Sequence, residues 1–177
     1  MKFRRANLGE EWSAICNACE ANIEQRVSEL SNGTNLPPPS PHIVKLNSDG
    51  SCLRGICGGG GVVRDNKGRI ICAYSIHLGP GTSNMAKAAS MLFGIKWCVN
   101  NGHSVIIGET DSLLIIKCVR REWKVPWRIL HIINEIQELV EKHGFEIKHC
   151  FQEANRSADK LASMSHILSQ SCLLLSY

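Results

Sequence analysis

The stretch KLNSDGS, Lys45 to Ser51, is the part of the sequence that decides the fold. Apolar or small residues alternate with polar ones through it, which is the two-residue period of a half-buried β-strand. The alternating sets are Val44, Leu46 and Ser48 against Lys45, Asn47 and Asp49. The strand therefore ends with a carboxylate, Asp49, on its polar face.

Two more strands are predicted directly after this one. Four consecutive glycines, Gly58 to Gly61, lead into the apolar pair Val62-Val63. The sequence Asp65-Asn66-Lys67-Gly68 has turn chemistry, and Arg69 to Ile76 is a second apolar run that returns. The domain therefore opens with three strands joined as a meander.

Helices and strands alternate in the rest of the chain. Thr82-Ser83-Asn84 offers an N-cap for a helix that runs to Asn100, and Ser104 to Ile107 is typical of a buried parallel strand. Helical spacing recurs over 113–119, 129–140 and 153–166, and residues 145–149 alternate as a fifth strand. The predicted order is β-β-β-α-β-α-α-β-α, an α/β fold with a mixed five-stranded sheet and helices packed on it.

The segments on either side of this domain differ from it in pattern. Residues 9–30 have the spacing of an amphipathic helix that could contact an unknown protein partner, and the proline-rich segment 36–41 is typical of a stiff linker. We therefore divide the chain into an N-terminal helix and linker at 1–42, a domain at 43–166, and a short apolar tail at 167–177. The tail has no predicted role.

The charge and the lengths of the apolar runs indicate which classes of protein the chain fits. The net charge of the 177 residues is +4, which permits nucleic-acid binding, and no apolar run approaches the roughly 20 residues of a membrane span. Met1 to Arg5 precedes no apolar signal region, so we expect an intracellular protein, nuclear or cytoplasmic, that is not secreted.

The nine cysteines are odd in number and scattered, which predicts reduced thiols, most of them in the core. The pair Cys16 and Cys19 lacks a second pair that would complete a zinc site. Cys52 and Cys57 flank a glycine-bearing turn and match such a pair poorly.

Five motifs in order resemble the ribonuclease H type 1 fold, and most closely the retroelement-derived domains common in plant genomes. The motifs are KLNSDGS (45–51), GGGVVRD (59–65), TSNMA (82–86), ETDS (109–112) and EANRSADKLA (153–162). The resemblance covers about residues 43–166. It implies a domain that binds RNA–DNA hybrids and cuts the RNA strand with two Mg²⁺ ions.

Carboxylates would hold these ions, because Mg²⁺ prefers oxygen ligands, and two such ions activate water and steady the leaving oxygen. The resemblance implies that Asp49 bridges both metals, Asp111 holds the first and Asp159 the second. A capping role is the alternative for Asp49 and Asp111, and a solvated helix position is the alternative for Asp159.

Lys87 stands where the resemblance implies a fourth ligand, a Glu. Residues 66–108 contain no Asp or Glu that could replace it through a register shift. Each unit of charge is worth on the order of 4 kcal/mol at about 4 Å and an effective dielectric of 20, so Lys87 would repel a cation. Its ammonium could pair with Asp49 and Asp111 instead, and Glu109 is the one nearby acid that could compensate.

His149 precedes Asp159 by ten residues. The resemblance implies a mobile histidine there, which aids product release or proton transfer because its pKa lies near neutrality. His149 also falls in the same alternating set as Phe145 and Ile147, so the other interpretation is that it packs as a strand residue.

Nucleic-acid contacts are implied at three places. Arg120, Arg121, Trp123 and Lys124 fall where the family carries a basic, tryptophan-bearing handle, although they could simply form a helix connector. The Gly59–Gly60 backbone would reach the 2′-hydroxyls of the RNA strand, or these glycines allow close packing. Asn84 is the third expected contact.

Three hypotheses for function follow. The first is a hybrid ribonuclease weakened by Lys87, the second is a non-catalytic nucleic-acid-binding module, and the third is a retroelement remnant without activity.

Overall fold

The computed structural model describes residues 43–167 and 171–175. Within them six strands form one sheet, against which four α-helices pack. The strands are β1 (Ile43–Leu53), β2 (Ile56–Arg64), β3 (Ile70–Pro80), β4 (Val105–Thr110), β5 (Glu146–His149) and β6 (Cys172–Leu175). The helices are α1 (Ser83–Asn100), α2 (Leu113–Val119), α3 (Leu130–His143) and α4 (Arg156–Met164). The predicted N-terminal helix and linker lie outside the described residues.

The strand order is β5-β4-β1-β2-β3-β6. β1 pairs antiparallel with β2 and parallel with β4, and β4 pairs parallel with β5, so the sheet is mixed. The five predicted strands and the order of the helices are confirmed. The apolar tail, which had no predicted role, supplies β6, which pairs antiparallel with β3.

Helices cover both faces of the sheet because the glycines of β2 let them approach. A Cβ on Gly59 would lie 2.8 Å from Ser90 Cβ in α1, and one on Gly60 would lie 2.1 Å from Ala162 N in α4. Successive strand residues point to opposite faces, so α1 and α4 lie on opposite sides. Gly59 and Gly60 are buried. This fits the alternative that these glycines allow close packing, and the contact of their backbone with nucleic acid stays a prediction.

The helices α2 and α3 complete the hydrophobic core that α1 forms with the sheet. Leu46 and Tyr74 of the sheet share this core with Ile95 of α1, Ile115 of α2 and Ile133 of α3. None of the helices in 43–167 and 171–175 is long and apolar enough to cross a membrane.

Six cysteines whose side chains the structure describes divide into two groups. The thiols of Cys72, Cys98, Cys118 and Cys150 are free and buried, as predicted. Cys52 and Cys57 instead form a disulfide, with their Cα atoms 4.1 Å apart, which corrects the prediction that they are reduced. The reason is the hairpin register, which places Cys52 of β1 directly opposite Cys57 of β2.

We predict that Gly60→Ala lowers the free energy of unfolding by about 3 kcal/mol, because the added methyl overpacks the contact with α4. Urea denaturation measures the change. Gly79→Ala is the control, since a Cβ there meets nothing within 4 Å and only the positive φ of 76° opposes it. That backbone strain costs about 1 kcal/mol. Equal losses in the two variants would contradict the packing role of Gly60.

Candidate functional site

Asp49 lies toward the C-terminal end of β1, opposite Gly60 of β2, and β1 continues past the predicted end at Asp49 to Leu53. Its side chain is buried, and the backbone N–H of Gly50 donates to its Oδ1 at 2.8 Å. A Cβ on Gly50 would lie 2.2 Å from the backbone nitrogen of Lys87. The start of α1 can therefore rest directly on this end of β1.

Asp111 follows the last residue of β4. Asn47 pairs with Glu109 in the parallel β1–β4 register, so two residues further along, Asp49 and Asp111 lie side by side. Ser112 caps α2 by accepting a hydrogen bond from Ile115 N at 3.4 Å. The turn between β4 and α2 thus holds Asp111 beside Asp49 of β1.

Lys87 lies between these two carboxylates. Its Nζ is 2.7 Å from Asp49 Oδ1 and 2.6 Å from Asp111 Oδ1. Thr82 begins the helix that carries it, because its Oγ1 accepts from Met85 N at 3.3 Å. We call Asp49, Lys87 and Asp111 the ion-pair cluster. Its formal charge of −2 + 1 = −1 replaces the −3 that a glutamate at position 87 would give.

Burial and ion pairing act on these groups in opposite directions. Burial raises the pKa of the Asp49 carboxyl, and this outweighs the lowering by the Lys87 ammonium. Burial acts to lower the pKa of Lys87, but hydrogen bonds to Asp111 and Asp49 outweigh it and raise that pKa. The ammonium therefore stays protonated at neutral pH, as the pairing geometry requires.

Glu109 does not compensate for the missing acid. Its Oε1 is 2.8 Å from Lys45 Nζ, and its Oε2 accepts from Asn47 Nδ2 at 2.9 Å. Both oxygens of Glu109 are therefore held by side chains of β1. One of these, Asn47, lies two residues before Asp49 on the same face of the strand.

Asp159 is exposed on the first turn of α4. Asn155, just before α4, ties that end of the helix to β1, because its Nδ2 donates to the Ser48 carbonyl at 3.0 Å. Asn155 Oδ1 is buried without a hydrogen-bond partner among the described residues. Sequence analysis gave Asn155 no role. A contact between residues 107 positions apart leaves no local signal.

The residues present do not fit a magnesium centre. Mg²⁺ requires several oxygen ligands in near-octahedral geometry, whereas an ammonium already occupies the space between the buried Asp49 carboxylate and the partly buried Asp111 carboxylate. In the part of the chain that the structure describes, no three His, Cys, Asp or Glu residues form a group that could hold a metal ion.

The predicted basic handle is a short turn between α2 and α3. Arg120 is exposed and its Nη2 donates to the Ile147 carbonyl of β5 at 3.0 Å. Arg121 pairs with Glu141 at 2.7 Å, and the side chains of Trp123 and Lys124 are exposed. Asn84, another predicted contact, is exposed in the first turn of α1.

His149 is exposed at the end of β5, so it is not a packed strand residue. Its ring meets the ring of Phe151 edge-on, with centroids 5.8 Å apart. The register pairs His149 with Thr110, the residue before Asp111. His149 therefore lies beside the ion-pair cluster, although it has no described contact with it.

Comparison with known proteins agrees with this fold. A family model described as reverse transcriptase-like matches residues 47–165. A provisionally named ribonuclease H protein of Arabidopsis thaliana is 26% identical over 171 residues, which cover 93% of this chain. The chain spans only 28% of that relative's length.

Solved structures show the same likeness. The RNase H1 of the archaeon Halobacterium salinarum has a TM-score of 0.67 at 21% identity, covering 71% of this chain and 98% of that one. LC11-RNase H1, in complex with an RNA/DNA hybrid, has a TM-score of 0.63 at 21% identity, covering 69% and 95%. These matches confirm the predicted ribonuclease H fold.

We predict that Lys87→Met lowers the free energy of unfolding at pH 7.5 by on the order of 3 kcal/mol, because it leaves two adjacent carboxylates unpaired. Without the ammonium, burial and Asp111 both raise the pKa of Asp49. A carboxyl whose pKa is higher in the folded state favours folding in its protonated form. The loss should therefore shrink as the pH falls through the folded pKa of Asp49.

Thermal unfolding between pH 4 and pH 8 measures this dependence. Lys96→Met is the matched control. Lys96 lies on α1, as Lys87 does, but its ion pair with Glu135 is exposed. Exposed pairs contribute about 0–1 kcal/mol. A Lys87→Met loss that is as small as the control's, or that does not vary with pH, would contradict the pairing.

Proposed function

The chain belongs to the reverse transcriptase-like family, which is ribonuclease H-like, and we propose that its domain binds RNA–DNA hybrids without magnesium-dependent cleavage. The observation that carries the proposal is the position of the Lys87 ammonium, 2.7 Å from Asp49 and 2.6 Å from Asp111. An ammonium can neutralise carboxylates, but it offers no coordination site to a water or a phosphate oxygen.

Electrostatics support the loss of metal binding. A divalent ion entering the ion-pair cluster would meet one net negative charge and a fixed positive charge in contact with both carboxylates. For the metal ion to enter, Lys87 would have to leave Asp49 and Asp111, so both ion pairs would break before any carboxylate could bind the metal. Asp159 remains on α4, but one exposed carboxylate does not replace the missing glutamate.

Hybrid binding is supported by surfaces outside the ion-pair cluster. Arg120 and Lys124 are exposed cations, and the net charge of the chain is +4. Trp123 is exposed beside them, which adds a ring that can stack on a sugar or base. LC11-RNase H1, which has the same fold, is known in complex with an RNA/DNA hybrid.

The second candidate function is weak magnesium-dependent cleavage of the hybrid. It is favoured by Asp49 and Asp111, which lie side by side as a metal pair would require, and by Asp159 on the neighbouring helix. It differs from the first in requiring that Lys87 leave the carboxylates.

We predict that Lys87→Glu creates a magnesium site and restores some cleavage of a labelled hybrid. The variant places a third carboxylate beside Asp49 and Asp111, so it should be unstable without metal and should gain stability in proportion to RT ln(1 + [Mg²⁺]/Kd). Thermal unfolding with and without Mg²⁺ measures metal binding, and gel electrophoresis measures cleavage. The wild-type protein should show neither response.

Lys96→Glu is the control, because it makes the same change of two charge units elsewhere on α1. If Lys87→Glu is folded and its unfolding temperature does not respond to Mg²⁺, the position of Lys87 in the cluster is not what prevents metal binding. Wild-type cleavage that Asp49→Asn abolishes would favour the second candidate function.

We predict that the wild-type protein binds a blunt RNA–DNA hybrid equally well in Mg²⁺ and in EDTA, and more weakly as salt rises. Arg120→Ala should weaken binding several-fold and reduce the salt slope by about one, because one phosphate contact is lost. Fluorescence anisotropy measures both. Lys67→Ala, at the exposed β2–β3 turn, removes one charge from another place and should leave both values unchanged. Equal effects of the two variants would refute the handle.

A further inference from the structure

The exposed end of β5 carries two aromatic side chains that the proposed function leaves without a role. Phe151 is 74% exposed, although burial of such a ring is ordinarily favourable. The neighbouring His149 ring contacts it edge-on, with the planes at 85°. An edge-to-face contact covers at most one face of the Phe151 ring, so at least one face stays available to a ligand.

The backbone fixes where this pair stands. Cys150, between the two aromatic residues, donates its N–H to the Thr110 carbonyl at 3.0 Å. Thr110 is followed by Asp111, so Phe151 leaves the sheet next to the ion-pair cluster. A ring held by the end of a paired strand costs little further conformational entropy when a ligand stacks on it.

A cation lies on the same edge of the sheet. Arg120 reaches β5 through its bond to the Ile147 carbonyl, two residues before His149. A guanidinium has five N–H donors, and this bond uses one of them. The nearby Glu122 is itself paired with Lys117, which limits its competition for Arg120.

We propose that Arg120, His149 and Phe151 form a subsite for an unpaired nucleotide next to the hybrid, which we call the β5 subsite. Phe151 stacks on the base, His149 supports the Phe151 ring through their edge-to-face contact, and Arg120 meets a phosphate. The base must be unpaired, because bases within a duplex already stack on both neighbours. The inference rests on the proposed hybrid binding and adds a preference for hybrids that end in a single strand.

Binding of three ligands tests the β5 subsite by fluorescence anisotropy in EDTA. The ligands are a blunt hybrid, the same hybrid with a three-nucleotide single-stranded overhang, and that hybrid with an overhang of abasic residues. The wild-type protein should bind the normal overhang about tenfold more tightly than the blunt end, which corresponds to one stacked base. The abasic overhang has the same phosphates and should give little of this gain.

Phe151→Ala should abolish the gain while leaving blunt-hybrid binding and the unfolding temperature unchanged. Phe151→Trp should retain or increase the gain, since a larger ring still stacks. Ile167→Ala is the control, because Ile167 is a similarly exposed apolar residue beyond the end of α4.

The outcomes separate the two proposals. If the overhang adds nothing, if the abasic overhang gives the same gain, or if Phe151→Ala keeps the gain, the β5 subsite is refuted while hybrid binding stands. An equal gain from the abasic overhang would indicate that only phosphate contacts matter. A gain that survives Phe151→Ala would indicate that the Phe151 ring contacts a protein rather than a base. If no ligand binds, both proposals fail.

Discussion

The contact on which the rest of the site depends is one ammonium held between two carboxylates. Asp49 in β1 and Asp111 directly after β4 lie on neighbouring parallel strands, so the sheet itself brings them together, and burial and the charge of Asp111 both raise the pKa of Asp49. A cation must lie between them or one must take a proton. Lys87 is that cation here, and it can reach both because Gly50 admits the first turns of α1 onto β1.

A lysine at position 87 leaves the fold intact but changes the chemistry that its carboxylates can support. The ammonium supplies the positive charge that holds the two strand ends together, so the fold needs no added ion at this point. It supplies none of the coordination geometry through which a metal acts on a water molecule or a phosphate. Under the proposed function, the same sheet and helices would serve binding without cleavage, as is usual when function lies in a few side chains of a widely used fold.

The sequence predicted what local patterns and motif spacing determine. Strand alternation and helical spacing gave the five strands and the helices, and the acid-free segment 66–108 pointed to Lys87 as the unusual residue. What the sequence missed depends on pairing between distant or opposed positions. The Cys52–Cys57 disulfide follows from hairpin register, β6 from an edge that only the folded sheet presents, and the Asn155 tether from the approach of α4 to β1. The glycines of β2 were ambiguous because contact with a ligand and contact with a helix both require the absence of a Cβ.

The surfaces proposed for nucleic acid do not depend on the ion-pair cluster for their own geometry. Arg120 bonds to a backbone carbonyl of β5, His149 is placed by the pairing of β5 with β4, and Phe151 follows the Cys150 N–H that donates to the Thr110 carbonyl. None of these contacts passes through Lys87, Asp49 or Asp111. Under the proposed function, a lysine in place of the expected glutamate would remove cleavage and leave recognition in place. Such a separation requires that the groups which bind and the groups which cut be held by different contacts, and the edge formed by β4 and β5 meets that requirement.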